Sequence, residues 1–138
     1  TGDKEFQQYS YLSNKYINVV PFINDMASAY SLSDLVVSRS GALTISELTA
    51  CGKPSILIPF AAAAGDHQLK NAKTLSKKGA SIIIEEKDFD SKILLSKIND
   101  LINDDSKLSS MSIASKKLGN KDATKIIVDL IAKGNYIV

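Results

Sequence analysis

The sequence predicts an open parallel α/β sheet with helices on both faces. Two observations carry this reading. Short apolar runs at 35–38, 54–59 and 80–84 alternate with helix-like stretches at 43–50, 67–78 and 92–103, the rhythm of βαβ units. The runs at 54–59 and 80–84 are also apolar on both sides, as strands buried inside a parallel sheet are.

Taken in order, residues 5–15 read as a mostly polar helix with Phe6, Tyr9 and Leu12 on one side. Residues 17–20 read as a short β-branched strand ended by Pro21. Asp25 is placed to cap a helix over 26–31 by accepting a backbone N–H. The strand at 35–38 feeds a turn and then the helix at 43–50, which stops where Gly52 can supply a left-handed residue. After the strand at 54–59 a loop of small residues leads to the helix at 67–78, with Asp66 as its expected cap and Gly79 as its stop. The turn Asp88-Phe89-Asp90-Ser91 caps the helix at 92–103, and further helices are expected at 108–118 and 123–133.

Composition bounds the function. The 138 residues suffice for one domain with a core, and 44% hydrophobic with 23% charged residues is ordinary for a globular chain. A net charge of +2, without basic clusters interleaved with aromatics, argues against nucleic acid. One cysteine and one histidine make no zinc-type cluster, and Cys51, inside an apolar helix, is expected to be a buried structural thiol. No apolar run approaches a membrane span.

Three strand-end segments could carry chemistry. The first is the turn Arg39-Ser40-Gly41-Ala42-Leu43-Thr44 with Glu47 one helical turn on. A helix N-terminus after a parallel strand offers unpaired N–H groups and the positive end of a dipole, which suits a phosphate. A local alternative stands beside it: Thr44-Ile45-Ser46-Glu47 fits a capping box, in which the two side chains satisfy each other's backbone donors. The second is Gly65-Asp66-His67-Gln68-Leu69-Lys70-Asn71-Ala72, where His67 and Gln68 could hydrogen-bond sugar hydroxyls or simply open a solvated helix. The third is Pro21-Phe22-Ile23-Asn24-Asp25-Met26, whose backbone could grip a flat ring, although residues such as Phe22, Ile23 and Met26 are more often core than ligand wall.

These segments, with Ala27-Ser28-Ala29-Tyr30 and Asp34-Leu35-Val36-Val37-Ser38, resemble the MurG family of bacterial transferases, which add N-acetylglucosamine to lipid I in peptidoglycan synthesis (glycosyltransferase family 28, GT-B type). The likeness covers nearly the whole chain. It is most specific over 21–72 and, from Asp88 on, is one of pattern, with a terminal Lys-Asp-Ala-Thr segment.

The resemblance implies a Rossmann-like nucleotide-sugar domain over 1–138, the carboxy-terminal half of a two-domain enzyme. It implies that the backbone at Ile23 holds uracil, that Ala42, Leu43 and Thr44 contact the diphosphate within the turn that Ser40 and Gly41 begin, and that Glu47 takes the ribose hydroxyls. Gln68 would read the N-acetylglucosamine hydroxyls, and His67 stands where some members have a second glutamine. The donor is UDP-N-acetylglucosamine, with no metal or separate cofactor in the site. No catalytic residue is expected in this chain. The base and the lipid I site would lie on an amino-terminal domain working at the cytoplasmic face of the membrane.

The family's domain normally opens with a further strand and a Gly-Ser-Gln loop. The domain is therefore expected to be incomplete at its amino end and inactive alone, with the strand at 17–20 lacking a neighbour. A donor subunit of a two-chain transferase and a non-catalytic nucleotide-binding module are the alternatives.

Overall fold

The structure is a computed structural model that describes residues 2–119; the expected helix at 123–133 lies outside them. The chain divides into two compact units, Thr1–Leu32 and Ser33–Val138.

In the first unit, α1 spans Asp3–Tyr9 and a 3-10 turn follows at Ser10–Leu12. The helix ends earlier than the pattern predicts because Asn14 folds the chain back. Its Oδ1 accepts the N–H groups of Tyr16 (2.8 Å) and Ile17 (3.1 Å), the turn chemistry that makes asparagine a poor helix interior. The strand expected at 17–20 is absent. Val19 N–H donates to Ser13 Oγ at 3.0 Å, so local side chains hold N–H groups that a sheet ladder would use. Helix α2, Met26–Leu32, starts as expected: Asp25 accepts from Ser28 N–H at 3.0 Å and from Ser28 Oγ at 2.6 Å.

The second unit is the α/β sheet. Strands β1 (Val36–Ser38), β2 (Ser55–Leu57) and β3 (Ser81–Ile83) pair in parallel in the order β1-β2-β3, with Val37 beside Ile56 and Ile56 beside Ile82. Helices α3 (Ala42–Cys51) and α4 (His67–Ser76) form the two crossovers, and α5 (Ser91–Ile102) and α6 (Asp105–Leu118) follow. The fold is the open parallel sheet flanked by helices that the alternation predicts.

Ile56 and Ile84 pack with Leu101 of α5 and Met111 of α6, and Ile58, Ile82, Leu94, Ile98 and Leu108 extend this core. Residues alternate across a strand, so Ser55 and Leu57 point to the other face, where α4 packs along β3. That face is rich in serine: the hydroxyls of Ser38, Ser55 and Ser81 are buried without a hydrogen-bond partner among the described residues.

The caps explain most helix ends. Gly52 takes φ 64° and ψ 41° and stops α3, and Gly79, at φ 75°, follows α4. Asp90 and Asp104 cap α5 and α6 by accepting from Lys92 N–H (2.6 Å) and Lys107 N–H (2.9 Å). Asp104 starts α6 three residues before the predicted 108. Asp66 does not cap as expected. It precedes α4 with φ 56°, and its side chain makes no capping bond.

Helix α6 is fastened to the last turn of α3. Ser112 Oγ donates to Gly52 O at 2.7 Å and Ser115 Oγ to Leu48 O at 3.2 Å, satisfying carbonyls that a helix end leaves open. Gly119 then passes so close to α3 that a Cβ there would lie 2.5 Å from Thr49 O and 2.8 Å from its carbonyl carbon. A rigid backbone cannot yield as a side chain can. Gly119→Ala should therefore cost about 1–3 kcal/mol, read from urea or thermal unfolding, the usual size of overpacking in a tight contact.

Candidate functional site

Because the three strands run parallel, the loops after them gather at one edge of the sheet, where ligands of open α/β folds bind. Side chains lace these loops together. Arg39, just after β1, donates from Nη1 to Ile58 O at 3.1 Å beyond β2 and pairs with Glu86 Oε1 at 2.6 Å beyond β3. Glu86 Oε2 accepts from Ala61 N–H at 2.8 Å, and the Arg39 guanidinium lies 5.5 Å from the centre of the Phe60 ring. Beside this lacing opens a cleft of about 500 Å³ lined by Val37, Ser38, Arg39, Ile58, Glu86 and Phe89. Neither the lacing nor the cleft has a local signature in the sequence, since each joins residues from three separate loops.

The turn after β1 delivers the amino end of α3. Its cap position is Gly41, with no side-chain capping bond. The capping-box alternative therefore fails on geometry. Thr44 is already the third residue inside the helix, where it cannot act as the cap that the box requires. The first turn carries no acidic side chain to offset the dipole. Ala42 and Leu43 are exposed, Leu43 at 73%, while Thr44 and Glu47 are half-buried and one turn apart. Gly41 has φ −62° and ψ 155°, open to any residue, and a Cβ there would meet no atom within 4 Å. Nothing within the described residues asks for glycine, so the space beside Gly41 is free for a ligand.

The helix α4 segment behaves differently from its sequence reading. Ser40 is fully buried, and all its polar atoms are taken by α4. Its Oγ donates to Gln68 O at 2.8 Å, its N–H to Gln68 Oε1 at 3.3 Å, and its carbonyl accepts from Asn71 Nδ2 at 3.1 Å. The same Gln68 Oε1 accepts from Phe60 N–H at 3.0 Å. Gln68 thus spends its oxygen on the scaffold, and its amide nitrogen is the end suited to a ligand. His67 is exposed, with its imidazole against Gly65, where a Cβ would lie 3.3 Å from Nε2. Gly65 and Asp66 both take left-handed backbone (φ 59° and 56°), a strained corner for Asp66.

Ile23 belongs to the first unit, where it is 44% exposed just ahead of the α2 cap. Cys51 is exposed at the last residue of α3, correcting the expected buried thiol: the helix ends there at Gly52, and its buried residues are Leu48 and Thr49. Among the described residues no group of acidic, histidine and cysteine side chains could hold a metal, and no helix is long and apolar enough to cross a membrane.

Comparison with known proteins decides the family. The model of the glycosyltransferase family 28 C-terminal domain matches residues 1–127. This chain belongs to that family. A relative from Anaeromyxobacter dehalogenans strain 2CP-C, named UDP-N-acetylglucosamine–N-acetylmuramyl-(pentapeptide) pyrophosphoryl-undecaprenol N-acetylglucosamine transferase, is 43% identical over 129 residues, 93% of this chain and 34% of that protein. A protein of the same name from Syntrophus aciditrophicus is 50% identical over 111 residues, 80% of this chain and 31% of its own length. The crystal structure of Acinetobacter baumannii MurG superposes with a TM-score of 0.86 at 34% identity, covering 96% of this chain and 39% of that one. The chain thus spans about a third of the length of the curated relatives it matches.

Within this family 28 domain, the lacing at the sheet edge is sensitive to acid. Ala61 N–H and, after it, the Arg39 guanidinium hold Glu86 below the usual glutamate value of 4.5. A carboxylate depressed in the folded state adds stability that is complete above its unfolded value and is lost as pH falls through the folded one. Stability should therefore drop below about pH 4.5, and Glu86→Gln should flatten that acid limb in thermal unfolding followed from pH 6 to 3.

Proposed function

We propose that the chain is the donor-binding domain of an inverting glycosyltransferase that moves N-acetylglucosamine from UDP-N-acetylglucosamine to lipid I, giving lipid II for peptidoglycan. The observation that carries this reading is the amino end of α3. It has no side-chain cap and no acidic residue in its first turn, and it lies beside open space at Gly41 at the ligand edge of the sheet. The family match and the relatives' names supply the substrate class.

The donor's diphosphate lies against the N–H groups of Ala42, Leu43 and Thr44, with the Thr44 hydroxyl adding a donor. As the bond from the sugar's anomeric carbon to the phosphate oxygen breaks, negative charge grows on that oxygen. The helix dipole and these N–H groups are already aimed at it and need no reorganisation. Glu47, one turn along, suits the ribose diol because one carboxylate can accept from two hydroxyls. Gln68 turns its amide nitrogen to the sugar hydroxyls, with His67 beside it. The general base and the acceptor site belong to the two thirds of the relatives' length that this chain does not span. The lipid acceptor would bring that enzyme to the cytoplasmic face of the membrane.

Calorimetry with UDP on the intact protein tests the assignment. Glu47→Ala should weaken binding by about 10- to 100-fold, the scale of hydrogen bonds to a charged group. Gly41→Val should abolish binding while leaving the melting temperature nearly unchanged, because the valine meets open space. Unchanged affinity in both variants would refute the site. Gln68→Glu keeps the acceptor oxygen that Ser40 and Phe60 use but removes the amide donor. It should lower the ratio of UDP-N-acetylglucosamine to UDP affinity, and a constant ratio would remove Gln68 from sugar recognition.

A further inference from the structure

We propose that Asn71 is a positioning residue for the diphosphate turn, acting only through Ser40; this rests on the donor site described above. Ser40 is the last residue before Gly41, so its orientation sets where the first N–H groups of α3 point. Its N–H, carbonyl and hydroxyl are all held from α4, across 28 to 31 residues of sequence.

Two of the three bonds come from Gln68, which also serves Phe60 and is assigned to the sugar. The third, Asn71 Nδ2 to Ser40 O at 3.1 Å, comes from a half-buried side chain one turn further along α4. That turn is fixed in the core: Ala72 is fully buried and Leu75 is 1% exposed. Asn71 therefore transmits the position of a rigid helix to the carbonyl that precedes the phosphate turn. The Ser40 N–H pins the peptide plane that arrives from Arg39, and the Ser40 carbonyl, held by Asn71, pins the plane that leads into Gly41. Without Asn71 that plane can swing, and the Gly41–Ala42 amides lose their common aim.

The contribution is specific to phosphate. The positioning concerns the first turn of α3 and not the ribose-facing Glu47. In the intact protein, Asn71→Leu keeps a similar volume without the donor, and Asn71→Ala truncates the half-buried side chain without introducing bulk. UDP affinity should fall about tenfold in each, the scale of one lost ordering hydrogen bond. Affinity for uridine, which has no phosphate, should stay constant, so the UDP-to-uridine ratio falls about tenfold as well. A residue that merely supports the fold would lower the melting temperature and weaken both ligands alike.

Competition calorimetry with UDP and uridine, with melting temperatures recorded for the same samples, separates these outcomes. A constant UDP-to-uridine ratio in a variant that still binds UDP overturns the role of Asn71 and leaves the donor site standing. Failure of the unsubstituted protein to bind UDP overturns the donor site and this inference with it. Should Asn71→Leu not fold, the ratio measured in Asn71→Ala decides alone.

Discussion

The candidate site depends on one constraint: loops after different strands must be held in register by side chains, because short strands cannot do it alone. Each strand of the sheet is three residues long. A ladder so short fixes the direction of the loops but not their mutual aim. Arg39, Glu86 and Gln68 supply what the ladder lacks by bonding to backbone groups of a neighbouring loop. Backbone groups cannot move independently of the chain, so these bonds lock geometry more firmly than side-chain pairs across solvent would. Polar groups at this edge are thus divided between holding the scaffold and meeting a ligand, sometimes within one residue, as in Gln68.

The same division runs along helix α3. Its carboxyl end is closed by α6, where Ser112 and Ser115 occupy carbonyls near the last turn. Its amino end carries no side-chain cap. A helix satisfied at one end and open at the other has its dipole exposed on the ligand side only. The packing of α6 on α3, tight enough to bring Gly119 against Thr49, therefore bears on binding although it lies away from the site.

Much of this was legible in the residues. The apolar runs around Val36, Ile56 and Ile82 marked the strands because a buried parallel sheet gathers apolar residues. Gly52, Gly79, Asp25 and Asp90 marked helix ends because each has a local mechanism. The failures are as physical. The run Ile17-Asn18-Val19-Val20 has strand composition, but Ser13 and Asn14 capture its N–H groups first. Thr44-Ile45-Ser46-Glu47 has the capping-box spacing, yet the helix starts three residues earlier at the Gly41 cap. Asp66 has a capping side chain but a left-handed backbone that leaves the bond unmade. The bonds from Gln68 and Asn71 to Ser40, and from Arg39 to Glu86, join distant positions, and no short pattern encodes them.

The serine-rich face of the sheet has a consequence of a different kind. Among the described residues, the buried hydroxyls of Ser38, Ser55 and Ser81 find no partner, and a buried hydroxyl left unpaired carries a desolvation cost. Alanine would fill nearly the same space without that cost. The domain therefore carries an untapped reserve for engineering: hardening the sheet from beneath, at positions such as Ser55 and Ser81 that lie away from the ligand edge, is a route to a more robust scaffold with its binding chemistry untouched.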